Sequence, residues 1–364
     1  MIRRLWPLLT RYIDGLLLAV LLATMLLGLV VLYSASSQDM DKVMSQGVNM
    51  LVALGVMWAV ANVPPQHISR LALPIYILGL MLLVAVAVHG EISHGARRWL
   101  NIGVARIQPS ELMKIAMPLM LAWYFEKREK SLKLRDYGIA ALMLIVPVGL
   151  IAKQPDLGTA LLIAASGFYI LFFAGLSWRV LASLAVVAIG SMPILWHFLH
   201  DYQRQRILTL IDPSQDPLGA GYHTIQSTIA IGSGGITGKG WLHGTQAHLD
   251  FLPERTTDFI FAVFGEEFGL LGNLFLLVLY ILIISRGLVI AANAPNLFSR
   301  LIAGSITMTF FTYAFVNMGM VSGILPVVGV PLPLLSYGGT SMVTLLLGFG
   351  ILMSVQTHPK LVRT

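Results

Sequence analysis

The sequence predicts an all-α polytopic membrane protein with about ten transmembrane helices and one large structured extracytoplasmic loop. Its composition is the first observation, because 57% of the 364 residues are hydrophobic and 11% are charged, whereas a soluble domain carries roughly 25% charged residues. The second is a series of apolar runs of about 20 residues, the length that crosses a ~30 Å hydrocarbon core. The net charge of +7 is distributed over the connections between these runs, so it does not indicate a nucleic-acid partner.

The predicted helices follow one another in a single membrane domain, residues 1–364. The first run is longer than the ~7 to 15 apolar residues of a signal peptide, so we expect an uncleaved span. One connection, residues 200–257, is long, and its Gly, Pro and Asp turn signals predict a structured loop. The predicted spans are residues 14–34, 47–63, 70–90, 108–125, 138–153, 156–175, 178–199, 258–285, 298–320 and 338–356.

Basic residues in the connections predict the orientation, because cytoplasmic loops carry an excess of Lys and Arg. With the N-terminus inside, the connection between the fourth and fifth runs is strongly basic. The outer basic residues fall mainly in the longer segments 90–107 and 200–257. Both termini are therefore expected in the cytoplasm, and the inner basic residues include Arg3, Arg4, Arg11, Lys127, Arg128, Lys130, Lys133 and Arg135.

The outer segment 94–114 carries three arginines and then enters a helix with Glu111 and Lys114. Spaced i, i+3, these two share one helical face. One interpretation is a local ion pair, with Arg97, Arg98 and Arg106 solvated or touching anionic headgroups. The other is a substrate path, because ionisable groups inside spans usually face a cavity. The residues alone leave both interpretations open.

A second polar cluster, Lys153 to Asp156, lies on the outer side at a break between two predicted spans. Asp is a preferred N-cap residue, so the simpler interpretation is that Asp156 caps the next helix. A role at a substrate site does not exclude the cap.

Glycines crowd one part of loop 200–257, at positions 232, 234, 235, 238 and 240. A phosphate-binding P-loop is excluded because Lys239 precedes Gly240, where Ser or Thr is required, and the dinucleotide-binding spacing fails at Thr237. We expect these glycines to let the backbone approach a large polar ligand or another loop.

Asp258 lies at the start of a long apolar run, where a charge is costly. Glu254 and Arg255 precede it at helical spacing, so a cap or an ion pair is one interpretation. The run from Phe268 to Ser285 is already long enough to span, which places Asp258 roughly 12 Å further out along the same helix. A carboxylate on a rigid element facing a water-accessible groove is suited to be a general base.

Several motifs, in this order, resemble the SEDS family (shape, elongation, division and sporulation), and they cover nearly the whole chain. The run from Gly234 to Gln246 followed by LPERTTDF is similar to the elongation branch of the family rather than the division branch. One departure is Thr257, where many relatives have His. The motifs are GARRWLNIG (95–103), QPSELMKIA (108–116), QPDLGTALLI (154–163), DYQRQRI (201–207), DPLGAGYHTIQSTIAIGSGG (216–235), GKGWLHGTQ (238–246), LPERTTDFIFA (252–262) and GVPLPLLSYGGTSM (329–342).

The resemblance implies a peptidoglycan glycosyltransferase of cell elongation in the bacterial cytoplasmic membrane, which polymerises lipid II on the outer face and releases undecaprenyl diphosphate. It implies a class B penicillin-binding protein and elongation-complex proteins as partners, and it leaves open a divalent cation, Mg²⁺ or Mn²⁺. Asp258 is the expected catalytic base. The expected substrate-binding residues are Arg97, Arg98, Trp99, Glu111, Lys114, Lys153, Asp156, Arg204, Arg206, Lys239 and Ser336.

Two other classes of function remain as alternatives. A lipid II flippase also needs about ten helices and intramembrane charge, but internal repeats and interrupted helices around a midplane site are expected of it. No convincing repeat is present, and the unusual residues crowd to the outer face. A non-enzymatic scaffold for a transpeptidase would not explain the presence of the outer Arg, Lys and Asp residues.

Overall fold

A computed structural model describes residues 11–93, 96–101, 106–198, 204, 208–210, 212, 219–248, 251–252 and 254–358. The ten predicted spans are all helical in it, which confirms the all-α membrane fold. Ten long helices lie in the described part, together with the shorter α8 and α9. They are α1 (Gly15–Ala35), α2 (Met40–Ala61), α3 (Pro65–His89), α4 (Pro109–Arg128), α5 (Leu134–Lys153), α6 (Leu157–Phe173), α7 (Trp178–Phe198), α8 (Ala220–Ser233), α9 (Thr245–His248), α10 (Ile260–Ala292), α11 (Leu297–Val321) and α12 (Gly339–Thr357).

Seven of the described helices are long and apolar enough to cross a membrane by length and composition, namely α1, α2, α3, α5, α10, α11 and α12. Helix α4 carries more charge, and α6 is a shorter apolar helix. Large side chains from the last three long helices form part of the core. The ring of Phe310 on α11 meets Tyr280 of α10 at 5.2 Å and Phe349 of α12 at 5.4 Å, both edge to face.

A small antiparallel sheet lies between α3 and α4, where the sequence predicts only an outer segment. Its strands are β1 (Glu91–Ser93), β2 (Ala96–Asn101) and β3 (Arg106–Ile107), in the order β1-β2-β3. Trp99 lies opposite Glu91 in this ladder. The segment is too short and too charged for another span, and pairing its strands satisfies backbone groups at the end of the bundle.

Helix α10 is interrupted at Gly269, whose φ of 63° and ψ of −159° are not helical. Two carbonyls before the break, those of Glu266 and Glu267, accept from the N–H groups of Lys239 and Gly240, both at 3.0 Å. After the break, Leu270 and Leu271 donate to the carbonyls of residues 235 and 236 at 2.9 and 3.1 Å. The glycine-rich segment thus supplies hydrogen-bond partners to the interrupted helix. The glycines were expected to let the backbone approach a large polar ligand or another loop; in the structure, Gly234 and Gly238 lie against the backbone of α10 instead.

Hydrogen bonds join several connections at one end of the bundle. Tyr337, between α11 and α12, donates its N–H to Thr256 O at 2.9 Å, and Arg255 donates to Ser37 Oγ at 3.0 Å. Ser37 lies between α1 and α2. In a bundle of antiparallel spans, every second connection lies at the same end. The β-sheet, the α5–α6 turn and the segment before α10 therefore share this end with the α11–α12 loop.

Candidate active site

Asp258 lies in the turn 254–259, directly before α10. The N-cap of α10 is Phe259 and receives no side-chain cap, and the Asp258 carboxylate forms no hydrogen bond or ion pair within the described residues. The capping and ion-pair interpretation is therefore wrong for this residue. Burial, and to a smaller extent the neighbouring Glu254 charge, raise the pKa of Asp258 to about 6. The carboxylate thus has no hydrogen-bond partner among the described residues, and its pKa is raised toward neutrality.

The α11–α12 loop holds the turn that carries Asp258. Ser336 donates its hydroxyl to Thr257 O at 2.6 Å and accepts from Leu332 N at 2.8 Å. Together with the bond from Tyr337 to Thr256, these contacts fix the main chain immediately before Asp258. The hydroxyl of Ser336, expected to bind substrate, is engaged by main chain in this structure.

Asn317 is a site residue that the sequence reasoning missed. It is fully buried on α11, and its side-chain amide donates to Asp258 O at 2.8 Å and to Val330 O at 2.7 Å. A Cβ on the adjacent Gly329 would lie 3.5 Å from Asp258 Oδ2, so the loop backbone passes close to the carboxylate. A lone Asn within the predicted span 298–320 was the available signal, because polar residues in spans are costly.

Gln46, in the second turn of α2, was also missed. It is buried, and its amide donates to Ser336 O and accepts from Gly338 N, both at 3.2 Å. The hydroxyl of the nearby Ser45 lies 3.2 Å from Tyr337 OH. Helix α2 therefore binds the α11–α12 loop through Ser45 and Gln46, in addition to the contact of the loop with Thr257.

Glu111 and Lys114 form a nearly buried ion pair of 2.5 Å, with 14% and 7% of their side chains exposed. The Lys114 ammonium also lies 5.4 Å from the ring centre of Tyr313 on α11. The second carboxylate oxygen of Glu111 is buried without a hydrogen-bond partner in the described part of the chain. The predicted local ion pair is therefore present, and it faces the interior rather than solvent.

Arg98 and Asp156 meet at the turn between α5 and α6. Arg98, on β2, donates to Gln154 O at 3.4 Å and to Pro155 O. Asp156 caps α6 by accepting from Thr159 N at 3.2 Å, which confirms the predicted cap, and its other oxygen accepts from Gln108 Nε2 at 3.2 Å. The sheet, the α5–α6 turn and the start of α4 are thereby joined.

The α11–α12 loop connects this cluster to Asp258. A Cβ on Gly158, two residues after Asp156, would lie 2.7 Å from Val328 O, so α6 packs directly on the loop backbone. Tyr313, which contacts Lys114, packs in one buried apolar cluster with Val330. Residues 328–330 therefore pack against the start of α6, next to Asp156, and also against Asp258.

A groove of about 650 Å³ lies between α2, α3, α4 and α12. Its lining is almost entirely aliphatic, with side chains such as Leu71, Ile115 and Leu347. Glu111 and Gln108 also line it, together with Asn49 and Gly339. The groove thus combines an apolar channel with polar groups from the site cluster.

Other predicted site residues lie elsewhere or outside the described residues. Lys239 forms a 2.7 Å ion pair with the fully buried Glu266, beside the break in α10. Arg204 donates to Trp196 O and His197 O at the end of α7, both at 3.0 Å. Lys153 is exposed and Trp99 partly buried. Arg206 and the side chains of Arg97 and Arg106 lie outside the described residues.

The described residues contain no group of three or more His, Cys, Asp or Glu that could hold a metal ion. The acid whose charge acts on Asp258 is Glu254, whose Oε2 accepts from Thr257 Oγ1 at 3.0 Å. The turn before α10 therefore offers the Asp258 carboxylate free of hydrogen bonds among the described residues, and the adjoining cluster contains two cationic groups, Arg98 and Lys114.

Comparison with known proteins agrees with this architecture. The FtsW/RodA/SpoVE family model, described as cell cycle protein, matches residues 14–361. Peptidoglycan glycosyltransferase MrdB of Escherichia coli (strain K12) is 53% identical over 351 residues, covering 96% of this chain and 95% of MrdB.

Two solved structures share the fold over the same length. One, from work on the structural coordination of polymerization and crosslinking by a peptidoglycan synthase complex, matches with a TM-score of 0.82 and 34% identity, covering 94% of this chain and 97% of that chain. The crystal structure of Thermus thermophilus rod shape determining protein RodA matches with a TM-score of 0.71 and 31% identity, covering 94% and 96%. The chain therefore belongs to the SEDS family, that of FtsW, RodA and SpoVE.

Proposed function

We propose that the protein is a peptidoglycan glycosyltransferase that polymerises lipid II into glycan strands during cell elongation and rod-shape maintenance, with Asp258 as its general base. The 53% identity to MrdB, a peptidoglycan glycosyltransferase, over 96% of the chain supports the activity. The observation that carries the catalytic assignment is the Asp258 carboxylate, which has no hydrogen-bond partner among the described residues. The main chain of residues 256–258 is held by hydrogen bonds from Tyr337, Ser336 and Asn317.

The chemistry requires one proton acceptor. As the acceptor sugar hydroxyl attacks the anomeric carbon of the donor, a new C–O bond forms and the hydroxyl proton moves to a carboxylate oxygen of Asp258. The bond from the anomeric carbon to the diphosphate oxygen breaks, and undecaprenyl diphosphate leaves with the bonding pair. A base is most effective when its pKa lies near the operating pH, which agrees with the raised pKa of about 6 for Asp258.

The departing diphosphate carries negative charge that cationic groups must stabilise. Lys114 is the better placed of the two candidates, because its side chain is 7% exposed and charges interact more strongly away from water. Glu111 partly neutralises it in the structure described here. Arg98 adds a second positive charge at the neighbouring α5–α6 turn.

The apolar groove of about 650 Å³ suits the polyprenyl chain of the substrate. Pockets that bind apolar ligands are lined mainly by hydrophobic side chains, with a few polar groups that orient the ligand. Here the aliphatic lining ends at Gln108 and Glu111, which belong to the cluster that includes Lys114. A lipid tail in the groove would therefore have its diphosphate beside the proposed cationic groups.

Mg²⁺ at phosphate sites is usually held by one or two carboxylates together with substrate phosphates, and a cation of this kind would help to neutralise the leaving diphosphate. The steps given above are assigned to the chain's own residues, and none of them is routed through a metal ion.

We further propose that both termini are cytoplasmic and that the active site faces the extracytoplasmic side of the bacterial inner membrane. The basic connection between α4 and α5 lies at the opposite end from Asp258, which is the arrangement that the positive-inside rule favours. The match to a chain of a peptidoglycan synthase complex supports a class B penicillin-binding protein as the partner.

The test is the reaction itself. The purified chain, with its transpeptidase partner, is incubated with lipid II, and glycan strands are separated by length. The proposal predicts strands of many disaccharides and release of undecaprenyl diphosphate. Movement of lipid II across a vesicle membrane with no glycan product would instead indicate a flippase. The absence of both polymerisation and transport would indicate a scaffold.

A further inference from the structure

We propose that Asn317 is a positioning residue that holds Asp258 in its reactive place by binding the main chain of Asp258 and that of the loop beside it. This inference rests on the proposed role of Asp258 as the general base. It assigns to Asn317 a contribution to turnover rather than to the binding of substrate.

The orientation of the Asn317 side chain is fixed by its two contacts. Both partners, Asp258 O at 2.8 Å and Val330 O at 2.7 Å, are carbonyl oxygens and can only accept. The NH₂ group must therefore face them, since the amide oxygen has no hydrogen to donate. Ser and Thr each provide one hydroxyl hydrogen, and Leu provides none. None of the three can therefore replace both hydrogen bonds of Asn317.

Hydrogen bonds to the main chain, rather than to the carboxylate, position Asp258 in this structure. Its carboxylate has no hydrogen-bond partner in the described part of the chain, so no side chain orients it directly. Asn317 joins its carbonyl to Val330, and the adjacent Gly329 lies against Asp258 Oδ2. The bridge therefore sets the distance between the carboxylate and the loop backbone that borders the site.

The arrangement leaves Asn317 Oδ1 buried without a partner among the described residues. Burying an unpaired amide oxygen is unfavourable, so the residue is not fully satisfied as a packing element. A purely structural role remains the competing explanation, because two buried carbonyls need donors wherever they occur. The two explanations differ in their effect on turnover.

The experiment measures kcat and KM for lipid II polymerisation by the full chain with its transpeptidase partner, together with the thermal unfolding midpoint. Asn317→Leu removes both donors and keeps the same branched arrangement of heavy atoms, and Asn317→Ser retains one donor. Ser305→Ala is the matched control, because Ser305 lies on the same helix and donates to Ser166 O at 2.8 Å, away from Asp258. All rates are expressed per folded protein.

We expect Asn317→Leu to lower kcat about 10- to 100-fold, as a small misplacement of a catalytic group does, with KM changed by less than about twofold. Asn317→Ser should fall between Leu and the native residue. Ser305→Ala should lower the unfolding midpoint and leave kcat unchanged. If Asn317→Leu does not fold, Asn317→Ser against Ser305→Ala decides the same question.

Wild-type kcat in the folded Asn317 variants, or an increase in KM alone, overturns the inference. Asp258→Asn is measured alongside, and it separates the proposed role of Asp258 as the base from the proposed role of Asn317 in positioning it. If Asp258→Asn is inactive while the Asn317 variants turn over normally, only the positioning role fails. If Asp258→Asn is itself active, the proposed base is wrong, and the positioning role fails with it.

Discussion

Ser336 donates its hydroxyl hydrogen to the main-chain oxygen of Thr257 at 2.6 Å, one residue before the carboxylate that we propose as the base. Ser336 Oγ also accepts from Leu332 N at 2.8 Å, so the side chain of Ser336 joins the loop from α11 to α12 to the turn before α10. Substitutions that break these contacts are therefore expected to change the position of the Asp258 carboxylate.

The pH dependence of activity follows from the raised pKa of Asp258. A base must be deprotonated, so kcat/KM for lipid II should rise about tenfold per pH unit below a pKa of about 6 and level off above it. Glu254→Gln removes the neighbouring negative charge and should move this limb to lower pH. A limb that is identical in wild type and Glu254→Gln would show that another group titrates.

Stability should show the opposite pH trend. The pKa of Asp258 is raised from 3.8 to about 6 on folding, so the folded chain binds the proton more tightly, and this contribution to stability is lost as pH rises through that range. Asp258→Asn has no such loss. Its unfolding midpoint should exceed that of wild type above pH ~6 and approach it below pH ~4. Equal midpoints at pH 7 would contradict the burial of this charge.

Lys114 and Lys239 should differ in the kind of defect that their loss causes. Lys114→Ala removes the cation proposed to face the diphosphate, and we expect a fall in kcat of about 10²-fold or more. Lys239→Ala removes a partner of the buried Glu266, which retains Thr245 N at 2.9 Å, so stability should fall more than turnover. Polymerisation per folded protein and unfolding midpoints are compared for both variants. A larger turnover defect in Lys239→Ala would place the diphosphate elsewhere.

The glycine-rich segment provides a stability test that does not depend on the reaction. Gly238 has a φ of 80°, and a Cβ there would overlap the backbone of Glu267, so Gly238→Ala should cost at least ~1–3 kcal/mol from strain alone. Gly232 is the control, because a Cβ there has no atom within 4 Å. Thermal unfolding should show a large loss for the first variant and little change for the second. Equal effects would show that the close approach is not required.

Topology can be tested with a reporter that is active only outside the cytoplasm. Fusion at about residue 225, in α8, should give activity, whereas fusion at about residue 131 or after residue 364 should not. Because residue 131 follows α4 directly, activity there would contradict the proposed orientation and move Asp258 to the cytoplasmic face.

Most helices could be predicted from sequence because they are long apolar runs, although α2 begins at Met40 rather than at residue 47 and α10 ends at Ala292 rather than at residue 285. The Glu111–Lys114 pair and the Asp156 cap were also accessible, since both depend on spacing within one helix. Arg98 could be assigned to the site only through the family resemblance, because its contacts to the α5–α6 turn depend on the fold.

The remaining features depend on contacts between distant segments. Lys239 was expected at the substrate, but its ion pair with Glu266 follows from the insertion of the glycine-rich segment into the break in α10, which sequence periodicity does not reveal. Asn317 and Gln46 appear in the sequence as lone polar residues near apolar runs. Their importance becomes visible only when the α11–α12 loop folds back onto the turn before Asp258.

The central claim is that Asp258 accepts the proton from the acceptor sugar. Polymerisation of lipid II by purified Asp258→Asn protein with its transpeptidase partner tests this most directly, because Asn has nearly the same shape but cannot accept a proton. The account predicts a folded, partner-bound protein whose rate is lower by about 10² to 10⁴, while Glu254→Gln keeps substantial activity. Near-wild-type polymerisation by well-folded Asp258→Asn would contradict it.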